Sequence, residues 1–229
     1  GQRPWIAIPT TLRAQLDGSV GGAACPQPGG GWRTPALVLS DPTLPASLPL
    51  RDYLAGLADA VKCGVVQDPD FFEFLESRAE AIRGRNAEAI EELVARAARV
   101  KAAAVDSPSP GPGARATLRY GHFVAGALER LAGAAILHGE ALAVGMEAEM
   151  KISQSLGWAD EETGKAQNRL IKALGLPTRA KGVPADRLSA PLLAAKLPGL
   201  DLPDEVGHAR GPAPLTPELV RAAVAAVTK

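Results

Sequence analysis

The chain has 229 residues, 46% of them apolar, enough to bury a sizeable core. Its 25 basic and 25 acidic residues cancel, which removes any global field that would draw it to nucleic acid or to an anionic membrane. Two cysteines, Cys25 and Cys63, form neither a disulfide framework nor a CxxC pair, and no apolar run reaches the roughly 18 residues of a membrane span, so the expectation is a cytoplasmic protein.

Residues 1 to 46 are broken by prolines and glycines, with "WIAIPTT" and "ALVLSD" as strand-like runs. From residue 47 the period becomes helical. Ser47 reads as an N-cap, followed by Leu50, Leu54, Leu57, Val61 and Val65 on one face. In "DPDFFEFLESRAEAIRG", Asp68 is the cap, Pro69 the first helical residue and Gly84 the stop. A third helix is predicted from Asn86 to about Val105, its face made by Ile90, Val94 and Ala97 with Lys101 as the odd member. "SPSPGPG", residues 107 to 113, ends it. Two further helices are predicted on either side of a break at Gly133 to Leu137, and the second, from His138 to about Leu156, is apolar nearly all round, as a central buried helix would be. Asp160 caps another that ends at Gly175, "DRLSAPLLAAKL" gives a short one, and "LTPELVRAAVAAV" closes the chain with Thr216 as cap and Pro217 in first position. The fold class expected is mainly α: a multihelical domain, 47–229, preceded by a short α/β remnant, 1–46. Such a fragment cannot satisfy its own sheet edges, so it is expected to dock on a sheet supplied from elsewhere, by a separate chain or by a region N-terminal to it.

Two of the chain's three histidines, His122 and His138, open successive helices within an apolar, alanine-rich run. A single imidazole in such a helix is ordinarily a hydrogen-bonded core group. Two of them on antiparallel helices, with a carboxylate from a third, would make a zinc site with an open position. Asp59 is the candidate carboxylate, and its bland alternative is an ion pair with Lys62 on the same helix face. Lys62, Lys101, Arg115 and Lys196 sit in or beside apolar patterns. Lysine usually snorkels to water, whereas several cations converging on a metal pocket would suit a phosphorylated, polyhydroxylated substrate.

"IPTTLRAQLDGSVGG", "LRDYLAGLADAVKCGVVQDPDFFEFLE", "GARATLRYGH" and "HGEALAVGM" together resemble, in order, the 3-dehydroquinate synthase family of sugar-phosphate cyclases. The resemblance implies a helical C-terminal domain beside an N-terminal NAD-binding one, and often an oligomer. It implies a reaction in which NAD transiently oxidises a hydroxyl, zinc or another divalent metal polarises the carbonyl, phosphate is eliminated, and an aldol step closes a carbocycle. By position the metal ligands would be Asp59, standing where the family has glutamate, with His122 and His138. Lys62, Lys101, Arg115 and Lys196 would meet the substrate's carboxylate, hydroxyls or phosphate, and Thr10, Thr11 and Asp17 would form the cofactor and active-site wall, Asp17 serving both.

The departures are informative. Ala23 stands where the family has a lysine, "GGGWRT" replaces a segment carrying a lysine and an asparagine, Arg119 replaces an asparagine, and Gly126 replaces a second histidine. Asp59 is one methylene shorter than glutamate, against a metal-bond tolerance of about 0.2 Å. Two readings follow: a cyclase subunit or fragment with a diverged substrate, or a pseudoenzyme or structural partner of an NAD-binding chain that keeps the fold without the reaction.

Overall fold

The structure, a computed structural model, describes residues 4–20, 23–24, 32–106, 118–195 and 199–228. Two short strand pairs precede the helices. Strand β1 (Ile6–Ala7) pairs in parallel with β4 (Leu37–Val38), Ile6 opposite Leu37, while β2 (Ala23–Ala24) pairs antiparallel with β3 (Trp32–Arg33). Trp5, Ile6, Ile8, Leu37 and Leu39 around the parallel pair remain exposed. Between β1 and β2 a π-helical turn, Ala14–Gly18, buries Gln15 and Leu16.

The rest is helical: α1 (Leu50–Gly56), α2 (Ala58–Gln67), α3 (Pro69–Arg83), α4 (Ala87–Asp106), α5 (His122–Ala132), α6 (His138–Ser155), α7 (Glu161–Ala173), α8 (Ala185–Ala194) and α9 (Pro217–Thr228). Their starts follow local chemistry. The Phe71, Ala89, Thr163 and Leu219 N–H groups donate to the side chains of Asp68, Asn86, Asp160 and Thr216 at 2.9, 3.0, 2.7 and 3.3 Å, each such cap contributing about 0.5–2 kcal/mol. As its pattern predicts, α6 is central: Leu142, Val144, Met146 and Glu149 are fully buried, and it packs on α1, α2, α5, α7 and α9. Among the described residues no helix is long and apolar enough to cross a membrane.

Two glycines set how closely the helices approach. A Cβ at Gly139 would lie 1.7 Å from the Ala55 carbonyl oxygen, and one at Gly145 would lie 2.0 Å from that of Gly121. Both contacts are main chain on main chain, so neither neighbour can rotate away.

Two expectations fail. Ser47 is not a helix N-cap: it ends a 3-10 turn, Leu44–Ser47, and its Oγ donates to the Leu44 carbonyl at 2.9 Å. Pro49 forces Leu48 into extended backbone, φ −66° and ψ 147°, so the helix begins only at Leu50. The single helix predicted to follow is instead two, parted at Leu57. Residues 200 to 213, to which the sequence pattern assigned no element, form an antiparallel hairpin, β5 (Leu200–Glu205) and β6 (His208–Ala213). Its turn uses Gly207 at φ +84°, and the Gly207 N–H donates to the Val65 carbonyl at 2.9 Å.

Candidate metal centre and its charged wall

His122 and His138 are each the first residue of a helix, α5 and α6. Gly121, in left-handed backbone at φ +80°, turns the chain into α5. The two rings lie 5.5 Å apart, centroid to centroid, at 50°. Asp59, in the first turn of α2, completes the group: one potential ligand atom from each of Asp59, His122 and His138 lies within 4.8 Å of the others.

Hydrogen bonds prepare these atoms for a cation. His122 Nδ1 is 3.2 Å from the Tyr120 carbonyl and His138 Nδ1 is 2.6 Å from Glu129 Oε1. A ring whose Nδ1–H donates to an acceptor keeps its lone pair on Nε2. His138 Nε2 is buried without a hydrogen-bond partner, as is Asp59 Oδ2. A buried acceptor without a hydrogen bond costs about 1–3 kcal/mol; His138 Nε2 has no partner at all, while Asp59 Oδ2 has only Arg13 Nε, at 3.6 Å. The residues therefore fit a divalent cation with mixed nitrogen and oxygen ligands. Burial, then the Lys62 ammonium, lowers the His122 pKa, which favours the neutral imidazole a metal requires.

The Asp59–Lys62 pair is also present, Nζ to Oδ1 at 2.8 Å. It does not compete with the metal reading, because it engages one oxygen and leaves the other. Lys62 reaches Asp17 Oδ1 at 3.5 Å, and Lys101 reaches the same oxygen at 2.8 Å and also donates to the Asp17 carbonyl. The π-helical turn thus delivers Asp17 between α2 and α4. Burial raises the Asp17 carboxyl, but Lys62 and Lys101 outweigh it and hold it at about 2. For Lys62, burial opposes the charge while Asp59 and Asp17 favour it, and the net direction is upward. Snorkelling is therefore the wrong expectation for Lys62 and Lys101, which are buried because acids meet them inside.

Thr10 and Thr11 are exposed, and the Ala14 N–H donates to Thr11 Oγ1 at 3.2 Å, starting the π-helical turn. Arg115, Lys196 and Ala23's side chain lie outside the described residues. Sequence reasoning missed Arg13, whose Nε is 3.6 Å from Asp59 Oδ2, along with Glu129 and Glu149. Glu149 is fully buried and accepts the N–H groups of Gly121, Phe123 and Val124 at 2.7, 3.1 and 3.3 Å, closing the first turn of α5 around His122. Its available signal was a pair of glutamates, Glu147 and Glu149, inside the otherwise apolar "GMEAEM".

Residues 56–196 match the family model described as 3-dehydroquinate synthase C-terminal. The chain is 40% identical over 190 residues to 3-dehydroquinate synthase of Halorhodospira halophila, covering 80% of this chain and 54% of that protein. It is 40% identical over 181 residues to 3-dehydroquinate synthase of Thermodesulfovibrio yellowstonii, covering 76% and 50%. The chain spans about half the length of the curated relatives it matches. Among solved structures, 2-epi-5-epi-valiolone synthase from Streptomyces hygroscopicus subsp. jinggangensis, with NAD+ and Zn2+ bound, superposes with TM-score 0.84 at 23% identity, over 98% of this chain and 66% of that one. A 2-deoxy-scyllo-inosose synthase complexed with carbaglucose-6-phosphate, NAD+ and Co2+ gives 0.81 at 22%, over 96% and 66%.

Proposed function

The chain belongs to the 3-dehydroquinate synthase family of sugar-phosphate cyclases, and from that premise we propose that it is the helical metal- and substrate-binding part of a phosphate-eliminating cyclase with a diverged substrate. The observation that carries the reading is the convergence of ligand atoms from Asp59, His122 and His138 within 4.8 Å, with His138 Nε2 buried and without a hydrogen-bond partner.

In this proposal Asp59, His122 and His138 hold a divalent metal, zinc in first place. When bound, the metal supplies a Lewis acid for a substrate oxygen and NAD supplies a reversible hydride acceptor. The chain's own side chains do the rest. Lys62 grips one Asp59 oxygen, which restrains the carboxylate's rotation and leaves the other oxygen as the ligand. Lys101 and Lys62 form a buried positive wall that orients a phosphorylated polyol, with Asp17 setting their positions. Arg115 and Lys196 are proposed as further contacts to the substrate's acidic groups, and Thr10, Thr11 and Asp17 as the part of the NAD site contributed by this chain. The domain division proposed is 1–46 as the segment docking on a nucleotide-binding domain or chain and 47–229 as the metal and substrate domain. The exposed apolar residues around β1 and β4 support that docking, because an uncovered sheet fragment of this kind is a surface for pairing. An oligomer is part of the same proposal.

Metal content of the purified protein tests the first element. About one equivalent of zinc or another divalent metal is expected, lost in Asp59→Ala and His138→Ala, and a substoichiometric parent would overturn it. The second element is tested by NAD-dependent cyclisation of seven-carbon sugar phosphates by this chain together with a nucleotide-binding region.

One observation favours the pseudoenzyme reading: Lys62 and Lys101 are both already engaged by Asp17. A cyclised product that disappears in His122→Ala would eliminate that reading, whereas bound metal without turnover of any such substrate would establish it.

A further inference from the structure

Helices α5 and α6 lie side by side in opposite directions: the start of α5, at Gly121, meets α6 at Gly145, while Glu129 further along α5 meets His138 at the start of α6. The two candidate ligand rings are steadied by different acceptors. His122 Nδ1 faces the neutral carbonyl of Tyr120, within its own turn. His138 Nδ1 faces the Glu129 carboxylate, brought from the neighbouring helix, at 2.6 Å.

A short histidine–carboxylate contact proves little on its own, and the molecule contains its own control. His208 Nδ1 lies 2.6 Å from Asp204 Oδ1, the same separation, on the β5–β6 hairpin. That ring is 60% exposed. At His138 the ring is 22% exposed, its Nε2 is buried without a partner, and Asp59 and His122 offer ligand atoms within 4.8 Å. The orphaned nitrogen and its company, and not the bond length, separate the two pairs.

We propose that Glu129 is a positioning residue of the metal centre. Resting on the metal reading above, it fixes His138 as the tautomer with hydrogen on Nδ1, holds the ring's orientation from the adjoining helix, and through its negative charge makes Nε2 a stronger donor. None of these three effects requires Glu129 to touch metal or substrate.

The test is zinc affinity of the purified protein, measured by competition with a chromophoric chelator, together with the visible spectrum of the Co2+-loaded form. Glu129→Ala is expected to weaken zinc binding by roughly 10–100-fold and to alter the Co2+ bands. Glu129→Gln keeps an oxygen that accepts the Nδ1–H but loses the charge, so it is expected to fall between parent and Glu129→Ala, with the melting temperature of the metal-free protein unchanged. Asp204→Ala, which removes the control pair, is expected to leave both readouts unchanged. If Glu129→Ala and Glu129→Gln bind zinc as tightly as the parent while His138→Ala has lost it, the role assigned to Glu129 is wrong and the metal centre stands. If the parent binds neither zinc nor Co2+, the metal reading itself falls.

Discussion

Replacing Asp17 by asparagine tests whether the buried charge wall is held together as its geometry implies. The carboxylate sits between two buried ammonium groups, at 2.8 Å from Lys101 and 3.5 Å from Lys62. Its side chain is 23% exposed, so screening by water is limited. Holding its pKa at about 2, against an ordinary 3.8, corresponds to about 2 kcal/mol at neutral pH, since one pKa unit is worth about 1.36 kcal/mol. The loss should stay below the roughly 3–5 kcal/mol typical of breaking a buried pair, because Lys62 keeps Asp59 at 2.8 Å and the main-chain carbonyl at position 17 still accepts from Lys101. A depressed folded pKa stabilises above the unfolded value of 3.8 and is lost as pH falls through about 2. The difference between parent and Asp17→Asn should therefore be about 2 kcal/mol at pH 7 and about half of that at pH 3. Urea unfolding at both pH values measures it. A difference below about 0.5 kcal/mol at pH 7, or one equally large at pH 3, would refute the argument.

Gly139→Ala should be strongly destabilising, because its Cβ would meet the Ala55 carbonyl at 1.7 Å; a cost of about 3 kcal/mol or more lowers the melting temperature by roughly 6–12 °C. Gly126→Ala is its opposite, since a Cβ there meets only the flexible Arg130 Nη1, at 3.5 Å, and calorimetry should show a gain of about 0.4–1 kcal/mol. Burial pushes the Glu149 carboxyl up to about 8, against three backbone N–H donors that lower it. Stability from this group is full below its ordinary 4.5 and lost as pH rises through about 8, so Glu149→Gln should flatten the fall in melting temperature between those values. Burial likewise raises the Cys63 thiol to about 12, and peptide mapping after thiol alkylation at pH 8 should find it unmodified until the protein is unfolded.

What the sequence revealed depended on how far the cause lay from its effect. Asp68 and Pro69 announce α3 because a cap acts on an N–H three residues away. The histidine pair was visible because polarity inside an apolar run is a local anomaly. Ser47 misled because Pro49, two residues on, dictates the backbone before it. The β5–β6 hairpin was hidden because "LDLPDE" lacks alternation, and what anchors its turn is the Val65 carbonyl, far away in sequence. The burial of Lys62 and Lys101 depends on Asp17, 45 and 84 residues distant. Glu129 and Glu149 acquire their roles only once α5 and α6 lie against each other, a pairing set by Gly121 and Gly145.

That glycine contact has an evolutionary reach. Where two helices touch through peptide groups, their separation is dictated by atoms that every amino acid shares, and lining residues can be exchanged without shifting the frame that carries them. The start of α5 is anchored on α6 in this way, whereas Arg119 and Gly126 are side-chain choices beside it. A lineage with such a frame is free to rewrite what it recognises while inheriting the contact intact.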